Sequence, residues 1–349
     1  MSEGATTPRG HRVAPPARDA LIAWPADFGT RALIFVDTEE EFDWRQPLSR
    51  DNRATTAVAA LPDAARRFAG WGAPWAMIVD HPVATDPHAI DLIRTILADH
   101  PQSAIGTQLH PWVNPPFDEA VTPANSFPGN LPEALEAAKL DALTEAIAAA
   151  FGKRPTAYRA GRYGIGPNTL RLLASRGYRL DSSVRAGHDY LAEGGPDFRD
   201  VGPHAYWADR AGGVIELPLT TVFTGLLGDQ APSLYRAASA VPAARGLLAR
   251  TGLASRIALT PEGMPIADAL EAIRVAVGQG VRVLAFSFHS PSLVPGHTPY
   301  VRDAADLKAF WAWWDATFAL MARLGIAPIG LDALIAAADA GLAGAGRLG

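Results

Sequence analysis

The sequence predicts an α/β protein built on a parallel sheet, most simply a single (β/α) barrel. Three observations predict it. Seven or so short apolar runs alternate with longer helical patterns, the pattern of repeated strand-then-helix units. Polar and titratable residues collect where those apolar runs end, and in barrels the C-terminal rim of the strands is where chemistry takes place. The 349 residues suit one α/β barrel, which routinely fills a length that could otherwise hold two domains.

Each element has its own signal. Strands are expected at 31–37 (RALIFVD), 74–80 (PWAMIVD) and 103–110 (SAIGTQLH), with helices at 54–69 and 87–99 between them. A proline-rich loop covers 111–128, and a helix over 132–151 places Leu140, Leu143, Ile147 and Phe151 on one face. Pro132 near its start and Gly152 past its end are the expected punctuation. Short strands at 156–159 and 178–183 flank a helix at 167–176, and 214–219 (VIELPL) is a strand that Pro218 ends. From 220 to 261 the rhythm gives way to a Gly- and Ala-rich irregular insertion, helical near 233–250, which shapes a cleft or an oligomer contact. Ile266, Leu270, Ile273 and Val277 restore helical spacing, and 281–289 (VRVLAFSFH) is the strongest strand. A last long helix carries Leu307, Phe310, Trp311, Trp314, Phe318 and Met321 as a core stripe, with Asp303 as N-cap.

Composition excludes several classes. Hydrophobic content of 48% with 19% charged residues excludes intrinsic disorder. The absence of cysteine removes disulfides, thiolate metal sites and cysteine nucleophiles. A net charge of −5 without Lys/Arg runs argues against nucleic-acid binding. No run of 18 uncharged apolar residues exists, so no membrane span is expected. The opening MSEGATTPRGHRVAPPARD lacks an apolar signal-peptide core, which makes the cytoplasm the default address. Residues 1–28 read as a disordered polar arm, and 29–345 as one barrel domain.

The strand ends carry the candidate chemistry. The first runs into Asp37-Thr38-Glu39-Glu40-Glu41, the second into Asp80-His81, the third into His110, the fourth into Arg159, and the last into His289. Two-residue alternation puts Asp37 and Glu39 on one face; Glu40 and Glu41 read as a helix cap or solvated loop. A Pro/Gly loop, SPSLVPGHTPYV, follows His289, a setting that favours function, whereas His297 reads as a loop residue. A carboxylate–imidazole set suits hydrolysis, with or without a metal: a carboxylate serves as general base and a separate histidine as general acid, and Glu and His bind catalytic zinc.

These residues also resemble the polysaccharide deacetylase (NodB-homology) family, in particular a bacterial subgroup with a VDTEEEFDW-type first motif, here 36–44. VDHPVATDP at 79–87, LHPW at 109–112, YRAGRYG at 158–164, GYRLDSSV at 177–184 and FSFHSPSLVPGHTPYV at 286–301 continue the resemblance, from about residue 31 to 337. It implies a distorted (β/α) barrel of about seven parallel strands. It also implies removal of an N-acetyl or similar acyl group from an amino sugar, glycan or other N-acylated small molecule. The implied base is Asp37, the implied acid His289, and Arg159 would orient the base; Arg162, Tyr163, Trp112 and Asp80 are the expected substrate contacts. Glu39 is the implied acidic metal ligand. Metal-dependent members carry two histidines four apart, whereas Gln108 and Trp112 stand at those positions here with His110 between them. Glu39 and His110 with His81 would then hold zinc or another divalent transition metal, or the site is metal-free. Two other classes stay open: a glycan-binding barrel using Trp44, Trp112, Tyr163 and Trp207, and a glycosidase pairing Glu39 with Glu216.

Overall fold

In the computed structural model, which describes residues 10–211, 213–238 and 244–345, the chain forms a distorted (β/α) barrel. Its strands are β1 (Arg31–Thr38), β2 (Trp75–Val79), β3 (Ala104–Leu109), β4 (Ala157–Ala160), β5 (Leu180–Asp181), β6 (Tyr206–Asp209), β7 (Val214–Glu216), β8 (Thr221–Thr224), β9 (Ser255–Ala258), β10 (Val283–His289) and β11 (Ala327–Pro328). The main sheet runs β10-β1-β2-β3-β4-β5-β7-β6. Every neighbouring pair from β10 to β7 is parallel, giving the seven expected parallel strands, and β6 closes the edge antiparallel. Helices α1 (Leu61–Gly70), α2 (His81–Thr85), α3 (Pro87–Asp99), α4 (Glu133–Phe151), α5 (Thr169–Ser175), α6 (Ala231–Ala238), α7 (Ala244–Arg250), α8 (Ile266–Gly278), α9 (Ala304–Arg323) and α10 (Leu331–Ala345) follow the strands. None is long and apolar enough to cross a membrane.

Alternation along the strands divides the core in two. Ile34, Val36, Trp75, Met77, Val79, Phe286 and Phe288 face outward into a layer with Phe68 and Trp314 from the surrounding helices. Leu33, Phe35, Ala76, Ile78, Ala157, Leu180 and Ile215 face inward and pack with Leu331, Leu334 and Ile335 of α10. Both faces of the sheet are thus dry, as parallel sheets require. The long α9 begins as expected, Asp303 accepting hydrogen bonds from the backbone N–H groups of Ala305 and Asp306. Gly152 ends α4 in the left-handed region, φ 71°, the usual helix stop.

The insertion is more regular than expected: β8 and β9 form an antiparallel pair, while residues 239–243 lie outside the described residues. This pair spans the gap between the last strand and β7. Thr220 N–H donates to Ala285 O (3.2 Å), and Ser287 N–H to Leu259 O (3.3 Å). Closure by single bonds rather than a ladder is the distortion of the barrel. The stretch expected as a disordered arm also departs from expectation over its described part, 10–28. Val13 N–H bonds Asp197 O at 3.0 Å, and Ile22 and Phe28 are buried with the inner cluster. These buried side chains, with Trp24 packed beside them and the Ile22 N–H bonded to Ala205 O at 3.2 Å, hold the segment against the barrel. Residues 1–9 lie outside the described residues.

Candidate active site

The inward face of β1 reads Leu33, Phe35, Asp37, and its next step is Glu39, so the apolar interior turns acidic as the strand reaches the rim. Asp37 lies opposite His289 of β10 in the strand register, and Gln108 of β3 lies opposite Arg159 of β4. Gly161 allows this convergence: a Cβ there would sit 2.5 Å from Leu109 O and 2.6 Å from His110 Cδ2. The result is a cavity of about 500 Å³ lined by Asp37, Glu39, Gln108, His110, Trp112, Arg159, Arg162, Tyr163 and His289, among others.

Two ion pairs organise one side of it. Arg159 donates through Nη1 to Asp37 Oδ1, and its Nε and Nη2 bond Ser182 O (3.0 Å) and Oγ (3.2 Å). Its guanidinium lies over the Phe35 ring at 4.5 Å, so every direction of the fork is fixed. His289 is held at Nδ1 by Glu262 Oε2 (2.7 Å), while its backbone N–H donates to Glu262 Oε1 (3.0 Å). Glu262 Oε1 in turn accepts from Ser292 Oγ at 2.6 Å. His289 Nε2 is left 3.8 Å from Asp37 Oδ2. Burial by itself would lower the pKa of His289, but Glu262, Glu39 and Asp37 outweigh it and raise the imidazole to about 10.

The other side is built around His110. Its Nδ1 lies 2.7 Å from Glu40 Oε2, and Glu40 Oε1 accepts from Trp112 Nε1 at 2.7 Å. The Trp112 ring stacks on His110 with centroids 4.4 Å apart. His110 Nε2 faces Glu39 Oε2 at 3.6 Å, and Glu39 also accepts from Gln108 Nε2 at 3.0 Å. Burial is the main influence on all of them: it raises Glu39, Glu40 and Asp80 and lowers His110. Each is pushed towards its neutral form.

A divalent ion is the cofactor the resemblance implies, and two donor sets can be compared with it. Glu40, Asp80 and His110 are buried and bring ligand-type atoms within 4.8 Å of one another. Their atoms are already engaged, however. Asp80 accepts from Val83 N–H (2.9 Å) and Glu40 N–H (2.7 Å), and Glu40 from Trp112 and His110. The cavity side fits better. Glu39 Oε2 and His110 Nε2 are too far apart to hydrogen bond, yet suitably spaced for two ligands on one small ion with bonds of about 2 Å. Gln108 Oε1 is buried with no hydrogen-bond partner and would be the third donor. Glu40 holds the Nδ1 of His110, the arrangement that aims Nε2 of a ligating histidine. Trp112 has only an N–H to offer and spends it on Glu40.

Several expected site residues are placed elsewhere. Asp80 does not line the cavity, because both of its oxygens cap backbone N–H groups at the start of α2 and the neighbouring turn. His81 begins α2 and does not line the cavity; burial, then Arg53 and Lys139, lower its pKa to about 4. Glu40 is fully buried rather than solvated, whereas Glu41 accepts from Ala57 N–H at 2.5 Å at the head of a short helical turn. Trp207 packs in the inner core. Glu216 is buried away from the cavity lining, accepting from Val184 N–H at 3.0 Å, which removes the Glu39–Glu216 glycosidase pairing. Arg162 and Tyr163 do line the cavity, both in the left-handed region (φ 55° and 61°). That conformation is costly for such residues and is held by Arg162 to Ser126 Oγ (2.5 Å), its ion pair with Glu193, and the Tyr163–Tyr190 stack. Glu262 is the main residue that sequence reasoning missed. It lies beyond the end of β9, just past the irregular insertion, where no apolar period marks a strand end.

No protein-family model and no curated protein matches the chain. Among solved structures, a putative polysaccharide deacetylase from Mycobacterium smegmatis matches with 18% identity over 94% of this chain and 96% of its own, at a TM-score of 0.52. An allantoinase (16% identity, 93% of each chain) and a probable polysaccharide deacetylase from Pseudomonas aeruginosa PAO1 (14% identity, 88% of this chain and 89% of that one) superpose more loosely, with TM-scores of 0.46 and 0.45. At such identities the likeness is one of fold, and the first of the three carries it.

Proposed function

We propose that this chain hydrolyses the amide C–N bond of an N-acylated small molecule, an N-acetyl sugar or a related acyl compound, with Asp37 as base and His289 as acid. The observation that carries this reading is the meeting of a fixed carboxylate and an imidazole, Asp37 Oδ2 and His289 Nε2, 3.8 Å apart in the lining of one cavity. Asp37 takes a proton from water as the water oxygen bonds the acyl carbon. His289 gives its Nε2 proton to the amide nitrogen as the C–N bond breaks, leaving acid and amine. Arg159 holds Asp37 Oδ1 and leaves Oδ2 for the water; Glu262 fixes the His289 ring and favours its protonated form. Trp112, Tyr163 and Arg162 contact the substrate. Glu39, His110 and Gln108 would hold a divalent ion, which when bound polarises a carbonyl and acidifies water.

The test is acid release from a panel of N-acetylated sugars and N-acyl amino acids. We expect turnover by the native chain and a loss of roughly 10²- to 10⁴-fold in Asp37→Asn with little change in ligand affinity. Binding without turnover in the native chain, unchanged by Asp37→Asn, would make the barrel a binding protein instead.

A further inference from the structure

The charges that line the cavity fall into pairs, with one exception. Arg159 is paired with Asp37, Arg162 with Glu193, and His289 with Glu262. Arg185, half-buried in the same lining, has phenols instead of a carboxylate around it. Its guanidinium lies over the Tyr163 ring at 5.5 Å, and Nη1 makes one long hydrogen bond, 3.4 Å, to the Tyr190 hydroxyl. Tyr163, Tyr190 and Tyr300 line the same cavity. Among the described residues no Asp or Glu forms an ion pair with it. A cation removed from water without a counter-ion is costly, and a guanidinium is the side chain suited to gripping a carboxylate through two parallel N–H bonds.

Position adds to charge. Tyr163, which carries Arg185 on its face, lines the same cavity as Asp37 and Arg159. The unpaired cation therefore shares one cavity with the base. A cavity of about 500 Å³ is of small-molecule size.

We infer that Arg185 is a specificity-determining residue that binds a carboxylate on the substrate, so that the natural substrate is a compact N-acylated acid and not a neutral glycan. The inference rests on the hydrolase reading for the identity of the acyl group, but not for the anion site itself. The carboxylate belongs to an N-acyl amino acid or to an acidic acylamino sugar, two sources that share this chemistry. Tyr163 and Tyr190, stacked on each other beside Arg185, carry no negative charge to compete with an anion for the guanidinium.

The experiment measures affinity by calorimetry for two matched pairs: N-acetylalanine against N-acetylalaninamide, and N-acetylmuramic acid against N-acetylglucosamine. The native protein should prefer the acid of at least one pair by roughly 10- to 100-fold, and the pair that shows it names the source. Arg185→Leu should reduce that ratio to about one. Arg185→Lys, which keeps the charge but loses the fork, should leave an intermediate ratio. Thermal unfolding of each variant reports its folding separately, and a merely structural role would weaken acid and neutral ligands alike. Equal affinities in both pairs, no measurable binding of either acid, or a preference unchanged in Arg185→Leu would overturn the inference. Acid release is followed in parallel. Acid-selective binding without release keeps the anion site and defeats the hydrolase reading, whereas unselective release from neutral amides does the reverse.

Discussion

Two histidines face the same cavity with the same wiring and opposite electrostatics. His289 is held at Nδ1 by Glu262 and His110 lies against Glu40 at Nδ1, both at 2.7 Å, and both turn Nε2 towards a second carboxylate, Asp37 and Glu39 respectively. Yet His289 is raised to about 10 while His110 is lowered. The difference lies in the surroundings. His289 keeps 17% of its side chain exposed, and His110 keeps 4%. The carboxyls around His110 are themselves driven towards neutrality by burial, so they do less to support a charged ring. Two Glu–His pairs thus favour opposite charge states without any change of residue type, an instance of environment separating acid from base.

Breaking the donor has the largest expected effect. His289→Asn should reduce turnover roughly 10²- to 10⁴-fold while leaving bound metal unchanged, measured as acid release and elemental content of the same preparation. Breaking the aim of the ligand comes next. Glu40→Gln should weaken metal affinity roughly 10- to 100-fold, read by competition with a chelator. Trp112→Phe removes one hydrogen bond to buried Glu40 and should destabilise the fold by about 1.5–3 kcal/mol, measured by urea unfolding. The smallest and most diagnostic effect is a shift in pH. His289 is cationic below about 10, so activity falls as pH rises through that value. Glu262→Gln removes the carboxylate that raises it most, and the alkaline limb of kcat/KM should move to lower pH. An unmoved limb would assign it to another group.

The inward half of the site was legible in the sequence, and its outer half was not, for one physical reason. Alternation along β1 correctly put Asp37 and Glu39 on a shared face. Glu40 reads from sequence as a helix cap or solvated loop residue, but the outer face of a barrel strand points into the helix layer, where Glu40 meets His110 and Trp112. Asp80 and His81 carried the right residue types at a strand end, and a helix that starts at once consumed Asp80 as its cap. The strand count and the aromatic stripe of α9 were readable because long apolar periodicities are robust. Glu262 and Arg185 were not, because each stands beside irregular chain where no period marks which way a side chain faces. Ile22 and Phe28 were lost in a polar, proline-rich context for the same reason.

The central claim, that two identically wired histidines hold opposite protonation states, is tested most directly by nitrogen-15 NMR of histidine-labelled, chelator-treated protein, with His289→Asn and His110→Asn assigning the two rings. The account predicts that at pH 7.5 His289 carries protons on both nitrogens and titrates near 10, while His110 is neutral with Nε2 unprotonated. A neutral His289 or a cationic His110 at that pH would contradict it.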